Sequence, residues 1–433
     1  MKIVRIIARL NVGGPARHVA WVTAGTRRAG HDSVLVAGTV PPGEDDMSYF
    51  AAALGLAPVL IPEMSREVSP QDAVTVWKLY RLLRRERPDI VHTHTAKAGT
   101  VGRVAGLLYR WLTPATLIGR PRACRFVHTY HGHIFHSYYS PFKTRLFLAI
   151  EKLLARLATD RIIVISPQQR REIHEQFGVG RAAQFAVVPL GLDLTAYDDW
   201  ATRRAHLRAE LGAHETELLV GIVGRLTEIK NHKLFLDAAV QCKAKHASSL
   251  AGRVRFIIIG DGHLRRELEM QTQALGLTDD VTFTGLRSDP ENFYPALDVV
   301  ALTSRNEGTP LTLIEAMANA RAIVATAVGG VVDLLGAPPV TDDAAAATPF
   351  VVCARGVRVR PDDATSFAAA LTHLLDAPDL RRMLGARGRE HVMRHYSVER
   401  LLTDLLNLYE ELRPTRPARA TSAQGIGDMP RGA

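Results

Sequence analysis

Along nearly the whole chain, short apolar runs alternate with stretches whose apolar positions recur every three or four residues. In the first half, KIVRIIA, HDSVLVAG, DIVHTH, RFVHTYH and RIIVIS read as strands. Between them, PARHVAWVTAGTRRAG, VTVWKLYRLLRRERP and TRLFLAIEKLLARLATD carry helical spacing. Strand–helix alternation of this kind specifies βαβ units, and hence an α/β fold with mostly parallel sheets covered by helices on both faces. The rhythm breaks at AVVPLGLDLTAY (186–197), where Pro189 and Gly191 suit a hinge, and then restarts. LLVGIVGRL, RVRFIIIGDG, VTFTG, DVVALTS, RAIVATAV and GVRVRP follow as strands, with LFLDAAVQCKAKH, HLRRELEMQTQALGL and TLIEAMANA as helices.

A chain of 433 residues is too long for one ordinary core. The break predicts two Rossmann-like domains, 1–190 and 191–396. SVERLLTDLLNLYEEL (397–412) reads as a long amphipathic helix. The Pro-, Gly- and Arg-rich stretch 413–433 reads as a disordered tail, and 336–350 as a surface loop or insertion.

Three scattered cysteines, Cys124, Cys242 and Cys353, form no CxxC pair, which disfavours a disulfide framework or a zinc site and suits a reducing compartment. MKIVRIIARL alternates apolar and charged residues, unlike the apolar core of a secretory signal. No apolar run is long enough to span a bilayer, so a cytosolic protein is expected. The net charge of +10 is unevenly placed. Residues 1–190 hold 26 Lys/Arg against 13 Asp/Glu, whereas residues 191–412 hold 24 against 30. A basic first half suggests an anionic partner such as lipid head groups, lipid-linked phosphates or nucleic acid. An Arg-rich composition would account for the same excess.

SRNEGTPLTLIEAMANA (304–320) is the most informative stretch. Gly308 and Thr309 make a tight turn, and Pro310 is expected as the first residue of the helix that follows. The unpaired amides of a helix start form a phosphate seat. Glu307 lies just before that seat, and Glu315 lies inside the helix where a carboxylate could accept two ribose hydroxyls. An acidic helix start and a solvated glutamate would explain the same residues. In VGRLTEIKNHK, Arg225 ends a buried strand and Lys230 follows near a helix start. Two cations at the carboxyl end of a parallel strand are placed to neutralise a diphosphate, although a solvated loop also accounts for them. In IIIGDG, Gly260 and Gly262 permit a close backbone approach to a nucleotide.

In the first half, NVGGPARH puts Gly13 and Gly14 between a strand and a helix. This loop is compatible with phosphate but lacks the GxGxxG spacing of a dinucleotide fold, so NAD is not expected. VHTHTAKAGT (91–100) and VHTYHGHIFH (127–136) are dense in histidine. Alternate histidines on strands could share a face, and metal ligation and a polar strand end lining a cleft are both open on spacing alone. The chain has no Asp-x-Asp triplet to clamp a metal–diphosphate.

The ordered set GGxxxH, VGRLxxxKN, IIGDG, FTG, EGTPLTLIEAMA and VATxVGG resembles glycosyltransferase family 4. The resemblance runs to about residue 412 and is strongest over 220–334. It implies the two-domain GT-B fold and a retaining sugar transfer from a nucleotide-sugar donor, most commonly a UDP-sugar, with no cofactor or bound metal. By motif match, Arg225 and Lys230 would hold the donor diphosphate and Glu315 the ribose. Glu307 would touch the transferred sugar, with the backbone of Thr309, Pro310 and Leu311 beside the phosphate. The Gly13–Gly14 loop would face diphosphate and acceptor, and His131 would sit near the sugar. The final helix would return to the first domain. The acceptor is expected to be a lipid-linked or growing surface glycan, with an anionic membrane surface as a further partner. A nucleotide-sugar epimerase of the same fold is the alternative, and a protein that binds an anionic surface or nucleic acid is the alternative of another class. Binding to nucleic acid is not expected, since no motif for it occurs.

Overall fold

The computed structural model describes residues 1–11, 13–40, 46–65, 69–132, 141–246, 253–338 and 349–413. The expected tail, most of the 336–350 loop, Val12, His133 and His136 lie outside the described residues.

The apolar runs of the first half become β1 (Lys2–Arg9), β2 (Asp32–Gly38), β3 (Val59–Leu60), β4 (Ile90–His94), β5 (Arg125–Tyr130), β6 (Arg161–Val164) and β7 (Phe185–Val187). They form one parallel sheet in the order β3-β2-β1-β4-β5-β6-β7. The second half supplies β8 (Leu218–Val223), β9 (Val254–Ile259), β10 (Val281–Gly285), β11 (Val299–Leu302), β12 (Ala322–Thr326), β13 (Phe350–Cys353) and β14 (Gly356–Val359). Their order is β10-β9-β8-β11-β12-β14-β13, with only the β13–β14 pair antiparallel.

Ten helices of eight or more residues cover these sheets among the described residues. They are α1 (Gly14–Arg28), α2 (Gln71–Glu86), α3 (Ala96–Trp111), α4 (Pro141–Leu157) and α5 (His232–His246), then α6 (Arg265–Ala274), α7 (Leu311–Ala318), α8 (Ala364–Leu375), α9 (Pro378–His395) and α10 (Val398–Leu412). Strands of an inner parallel sheet are buried on both faces and so read as near-continuous apolar runs. β1 is buried at every position between its ends. Its Val4 and Ile6 pack with Leu79 and Leu83 of α2 and Val101 of α3, whereas Ile3 packs with Val22 of α1 and Leu405 of α10.

Among its parallel strands, each sheet reverses its order once, between β1 and β4 and between β8 and β11. Open parallel sheets bind ligands outside the carboxyl ends of their strands at such a reversal. The topology therefore marks the loops after β1, β4, β8 and β11 before any side chain is considered.

The chain passes between the two sheets at two places that lie side by side. Leu192 donates its N–H to the carbonyl of Tyr396 at 2.9 Å, and Val398 donates to Leu192 at 2.9 Å. Arg400 donates to the carbonyls of Pro189 and Leu190 at 2.8 and 2.6 Å. A Cβ on Gly191 would stand 2.7 Å from the Ser397 carbonyl, so glycine is what lets the crossings touch. Beyond this point α10, capped by the Ser397 hydroxyl, buries Leu401, Leu405 and Tyr409 against the first sheet. The Tyr409 hydroxyl accepts from the buried Arg5 guanidinium at 3.2 Å and shares a hydrogen bond with His92 Nδ1 at 2.6 Å. Arg5 also donates to Ser33 Oγ and Thr26 Oγ1, at 2.6 and 2.9 Å.

Candidate functional site

The loop after β8 bears Gly224 and Arg225, then turns at Glu228–Lys230 toward α5. Arg225 is exposed. Lys230 is half-buried, and its Nζ lies 2.5 Å from Glu307 Oε1, which also accepts from Ser304 Oγ at 2.6 Å. Thr303 Oγ1 donates to the Lys230 carbonyl at 2.8 Å, tying the β8 and β11 loops together. Lys230 and Glu307 are 77 positions apart in sequence, and the sheet reversal makes them neighbours.

Helix α7 begins at Leu311, and Pro310 is its N-cap, in an extended conformation, rather than its first helical residue. The Gly308–Thr309 bends bring the chain into the helix at an angle that leaves Pro310 outside it. At the start of α7 Leu313 donates to the Pro310 carbonyl at 3.2 Å, and the amides that precede it, as at any helix start, have no intrahelical acceptors. Four residues into the helix, Glu315 is buried, with Oε2 accepting from Tyr294 OH at 3.1 Å and Oε1 lying 3.6 Å from Arg17 Nη1 of α1. Burial pushes the Glu315 carboxyl up to about 7, against the pull of Arg17 and the Tyr294 hydroxyl. A solvated glutamate is therefore excluded as the reading of this position.

Gly260 and Gly262 have a different local reason from the one their motif suggests. A Cβ on Gly260 would overlap the Gly224 carbonyl, and one on Gly262 would crowd the backbone of Leu226. Both glycines are thus required by the packing of the β9 loop on the β8 loop.

The opposing wall comes from the first sheet. Gly13 is the N-cap of α1, and Gly14 faces Leu311, where an added Cβ would come within 3.1 Å of Leu311 Cδ1. His18 of α1, His94 at the end of β4 and His131 just past β5 converge, with ring nitrogens within 4.8 Å of one another. His94 Nδ1 and His131 Nε2 share a hydrogen bond of 2.9 Å. Both ring nitrogens of His18 and Nε2 of His94 are buried without a hydrogen-bond partner. Burial lowers His131 to about 4 and drives His18, His92 and His94 well below the ordinary imidazole value. The cluster is therefore neutral at pH 7. Three imidazoles at this separation match a metal set in number, but one pair is bonded to each other and, among the described residues, no carboxylate joins the set. The HTH spacing does place His92 and His94 on one face, with ring centroids 4.1 Å apart. Of the HGH spacing, His131 and Gly132 lie past β5, which ends at Tyr130, and His133 falls outside the described residues. Immediately after His94, Thr95 has φ of 67°, a left-handed conformation that costs a non-glycine residue about 1 kcal/mol or more and clusters at functional sites.

The walls meet closely. A Cβ on Gly308 would lie 2.8 Å from the His131 carbonyl. Gln168 N–H donates to Asp333 across the gap at 2.7 Å. The cleft thus gathers Lys230, Glu307, Gly308 and Glu315 from one sheet with Gly14, Arg17, His18 and His131 from the other. Arg17 and Tyr294 escape motif reading because their partner Glu315 is distant in sequence. The only sequence signal for Arg17 is its place within GGPARH.

Residues 203–391 match the family model described as Glycosyl transferases group 1, and residues 12–196 match that of Glycosyltransferase Family 4. An Escherichia coli relative, UDP-Gal:alpha-D-GlcNAc-diphosphoundecaprenol alpha-1,3-galactosyltransferase, is 30% identical over 62% of this chain and 66% of its own length. The D-inositol 3-phosphate glycosyltransferase of Kineococcus radiotolerans is 32% identical over 53% of this chain and 52% of its own. The chain thus spans somewhat under two thirds and about half of these two relatives. Alpha-D-kanosaminyltransferase of Streptomyces kanamyceticus is 26% identical over 76% of this chain and 79% of its own length. Among solved structures, Anabaena HepE in complex with UDP superposes with a TM-score of 0.72 at 20% identity, covering 95% of this chain and 100% of that one. Sucrose-phosphate synthase of Thermosynechococcus elongatus gives 0.71 at 21%, covering 95% and 99%. The fold is the two-domain GT-B architecture.

Proposed function

This chain belongs to the group 1 glycosyltransferases, and we propose that it moves a hexose or N-acetylhexosamine from a UDP-sugar, with retention, to a lipid-linked or growing surface glycan. The observation that carries the reading is the Lys230–Glu307 pair at the start of α7, facing the histidine wall across the cleft. In the donor-free protein Glu307 holds Lys230 in place. An arriving diphosphate competes for that ammonium, and Arg225, exposed at the end of β8, adds a second cation. Glu315 accepts the ribose hydroxyls, displacing Arg17. Stabilising the departing diphosphate is the main demand that a front-side displacement makes on the protein. The leaving phosphate then helps to take the proton from the acceptor hydroxyl, and neutral His131 lines the place where that hydroxyl approaches.

The choice of uridine and of a lipid-linked acceptor is supported by the Escherichia coli relative's name, which contains both a UDP-sugar and a diphosphoundecaprenol. Melting-temperature shifts against a panel of nucleotide sugars test the donor, and product analysis with and without acceptor separates transfer from epimerisation. A shift with another nucleotide alone, or an epimer formed without acceptor, overturns the reading. No metal takes part, so turnover survives exhaustive EDTA treatment. Loss on chelation with rescue by a divalent ion would instead make ligands of His18, His94 and His131.

A further inference from the structure

The strand registers assign α2, α3 and α4 to one face of the first sheet. Val4 and Ile6 pair with Val91 and Thr93, these with Phe126 and His128, and His128 and Tyr130 with Ile162 and Val164. Residues of that face pack against α2, α3 and α4, whereas the opposite face packs against α1 and α10. The solvent side of this three-helix layer is unlike any other part of the surface. Nine of the fifteen large apolar side chains that are exposed among the described residues lie between Val74 and Leu157. Three of the fifteen belong to the second half of the chain. Trp77 projects from α2, and Trp111 and Leu112 end α3. The turn that follows holds Leu117 and Ile118 at 90% and 71% exposure, too open to be explained by packing. Leu153 and Leu157, one helical turn apart, continue the exposure along α4. An apolar groove of about 460 Å3 runs between α2 and α3, lined by Val76, Tyr80, Val104 and Leu108.

Charge on the layer is one-sided. The sequences of the three helices hold eleven Lys/Arg against three carboxylates. Each carboxylate is already occupied: Asp72 by Lys97, Glu86 by Lys2 and the buried Glu151 by Arg103. Arg81 and Arg84 stand exposed over the rings of Trp77 and Tyr80, 4.8 and 5.8 Å from the centroids. Guanidinium beside amphipathic aromatics, with aliphatic side chains reaching further out, is the composition of a surface seated at a membrane interface. A bare phosphate backbone would use the arginines but not Leu117 and Ile118.

We infer that the outer face of α2, α3 and α4, with the 112–118 turn, is a docking surface for an anionic lipid bilayer. Arginines meet the head groups and the Trp111–Ile118 edge enters the hydrocarbon boundary. Helix α3 starts two residues after His94, so the docked face runs up to the cleft. The inference rests on exposure and charge and not on the identity of donor or acceptor.

Sedimentation of the full chain with phosphatidylglycerol–phosphatidylcholine vesicles, against pure phosphatidylcholine, reads the binding directly. Binding to the anionic vesicles, weak binding to the neutral ones and release by salt are expected. The Arg81→Gln/Arg84→Gln variant should bind about thirtyfold more weakly, from about 1 kcal/mol of surface attraction lost per basic residue. Leu117→Asp/Ile118→Asp should also lose binding, whereas Met270→Asp/Leu286→Asp on the other domain should retain it. All three pairs are exposed, and thermal melts check that each variant folds. Equal partitioning to both vesicle types, or to neither, overturns the inference. So do variants that bind as the parent does, and so does a self-associated dimer that these variants dissolve in the absence of any vesicle binding. A failed UDP-sugar assay leaves this result untouched, because turnover is not read.

Discussion

The cleft wall carried by the first sheet consists of buried imidazoles held neutral, whereas the wall carried by the second consists of ionised groups held in pairs. His94 bonds to His131 on one side, and Lys230 bonds to Glu307 on the other. The physical cause is the chemistry that each strand end supplies. His94 ends β4 and His131 stands just past β5, both beside His18 of α1, where desolvation expels charge. The β8 and β11 loops carry Lys230 and Glu307 at a half-open rim, where each charge has a partner and stays partly exposed. A neutral wall tolerates a hydroxyl that must lose its proton, and a charged wall meets a diphosphate. The division of labour between the domains is therefore electrostatic as much as topological.

The sharpest test of that division removes the charged wall. Lys230→Ala should lower turnover by roughly 100-fold or more, the scale of one lost transition-state donor. Steady-state kinetics with the cognate donor measure it, and unchanged turnover in a folded variant would erase the distinction between the walls.

The next largest effect uses protons, to which the walls respond with opposite signs. Glu315 is held up at about 7 from an ordinary 4.5, so the folded state binds its proton more tightly than the unfolded state. Stability from this group is thus lost as pH rises from 4.5 to 7, at up to about 1.4 kcal/mol per pH unit. Donor binding should run the other way, because only the ionised carboxyl accepts both ribose hydroxyls. Lowering pH from 8 to 6 should weaken nucleotide affinity by about tenfold, a dependence absent in Glu315→Gln. The histidines have lowered values, so the unfolded state takes up protons first. Their contribution is intact above the ordinary 6.5 and is lost as pH falls below it. Hydrogen exchange between pH 6.5 and 5 should therefore loosen β4 and β5 while β8 and β11 hold. Uniform loosening of both sheets would break the comparison.

The smallest effect lies behind the histidine wall. Tyr409→Phe removes the hydroxyl shared by Arg5 and His92 and should cost about 1–3 kcal/mol of stability, read by denaturant unfolding. Turnover at saturating donor should change little in the folded fraction.

The parallel strands were legible because inner strands of such sheets must be apolar throughout, and the interrupted rhythm near Pro189 marks where one sheet gives way to the next. Helix α3 is harder to see. Gly99, Gly102 and Gly106 look like breakers, but in the folded protein they face His128, Thr93 and Phe126, where a Cβ would collide. Three glycines on one side let the helix lie close against the sheet, and tertiary packing overrides their poor propensity. β13 is also invisible, because its antiparallel pairing with β14 follows the 336–350 stretch instead of a crossover helix. Within the site, the local motifs single out Glu307 and Lys230 separately, and no spacing rule pairs them. Arg17 beside Glu315 is a contact between domains, which only the assembled fold can reveal.

The hydroxyl of Tyr409 reaches back 404 positions to Arg5. A ribosome adding roughly 5–20 residues per second needs on the order of 20–80 s to cover that interval. For that whole time the guanidinium in the middle of β1 has Ser33 and Thr26 but lacks its third partner, and the hydrophobic face of the first sheet that α10 will cover stands open. The second domain, complete once α9 has emerged, can close its own core earlier. The first domain is made before the second yet is completed after it, and a nascent chain stalled short of residue 409 presents an unsealed apolar sheet to chaperones and proteases.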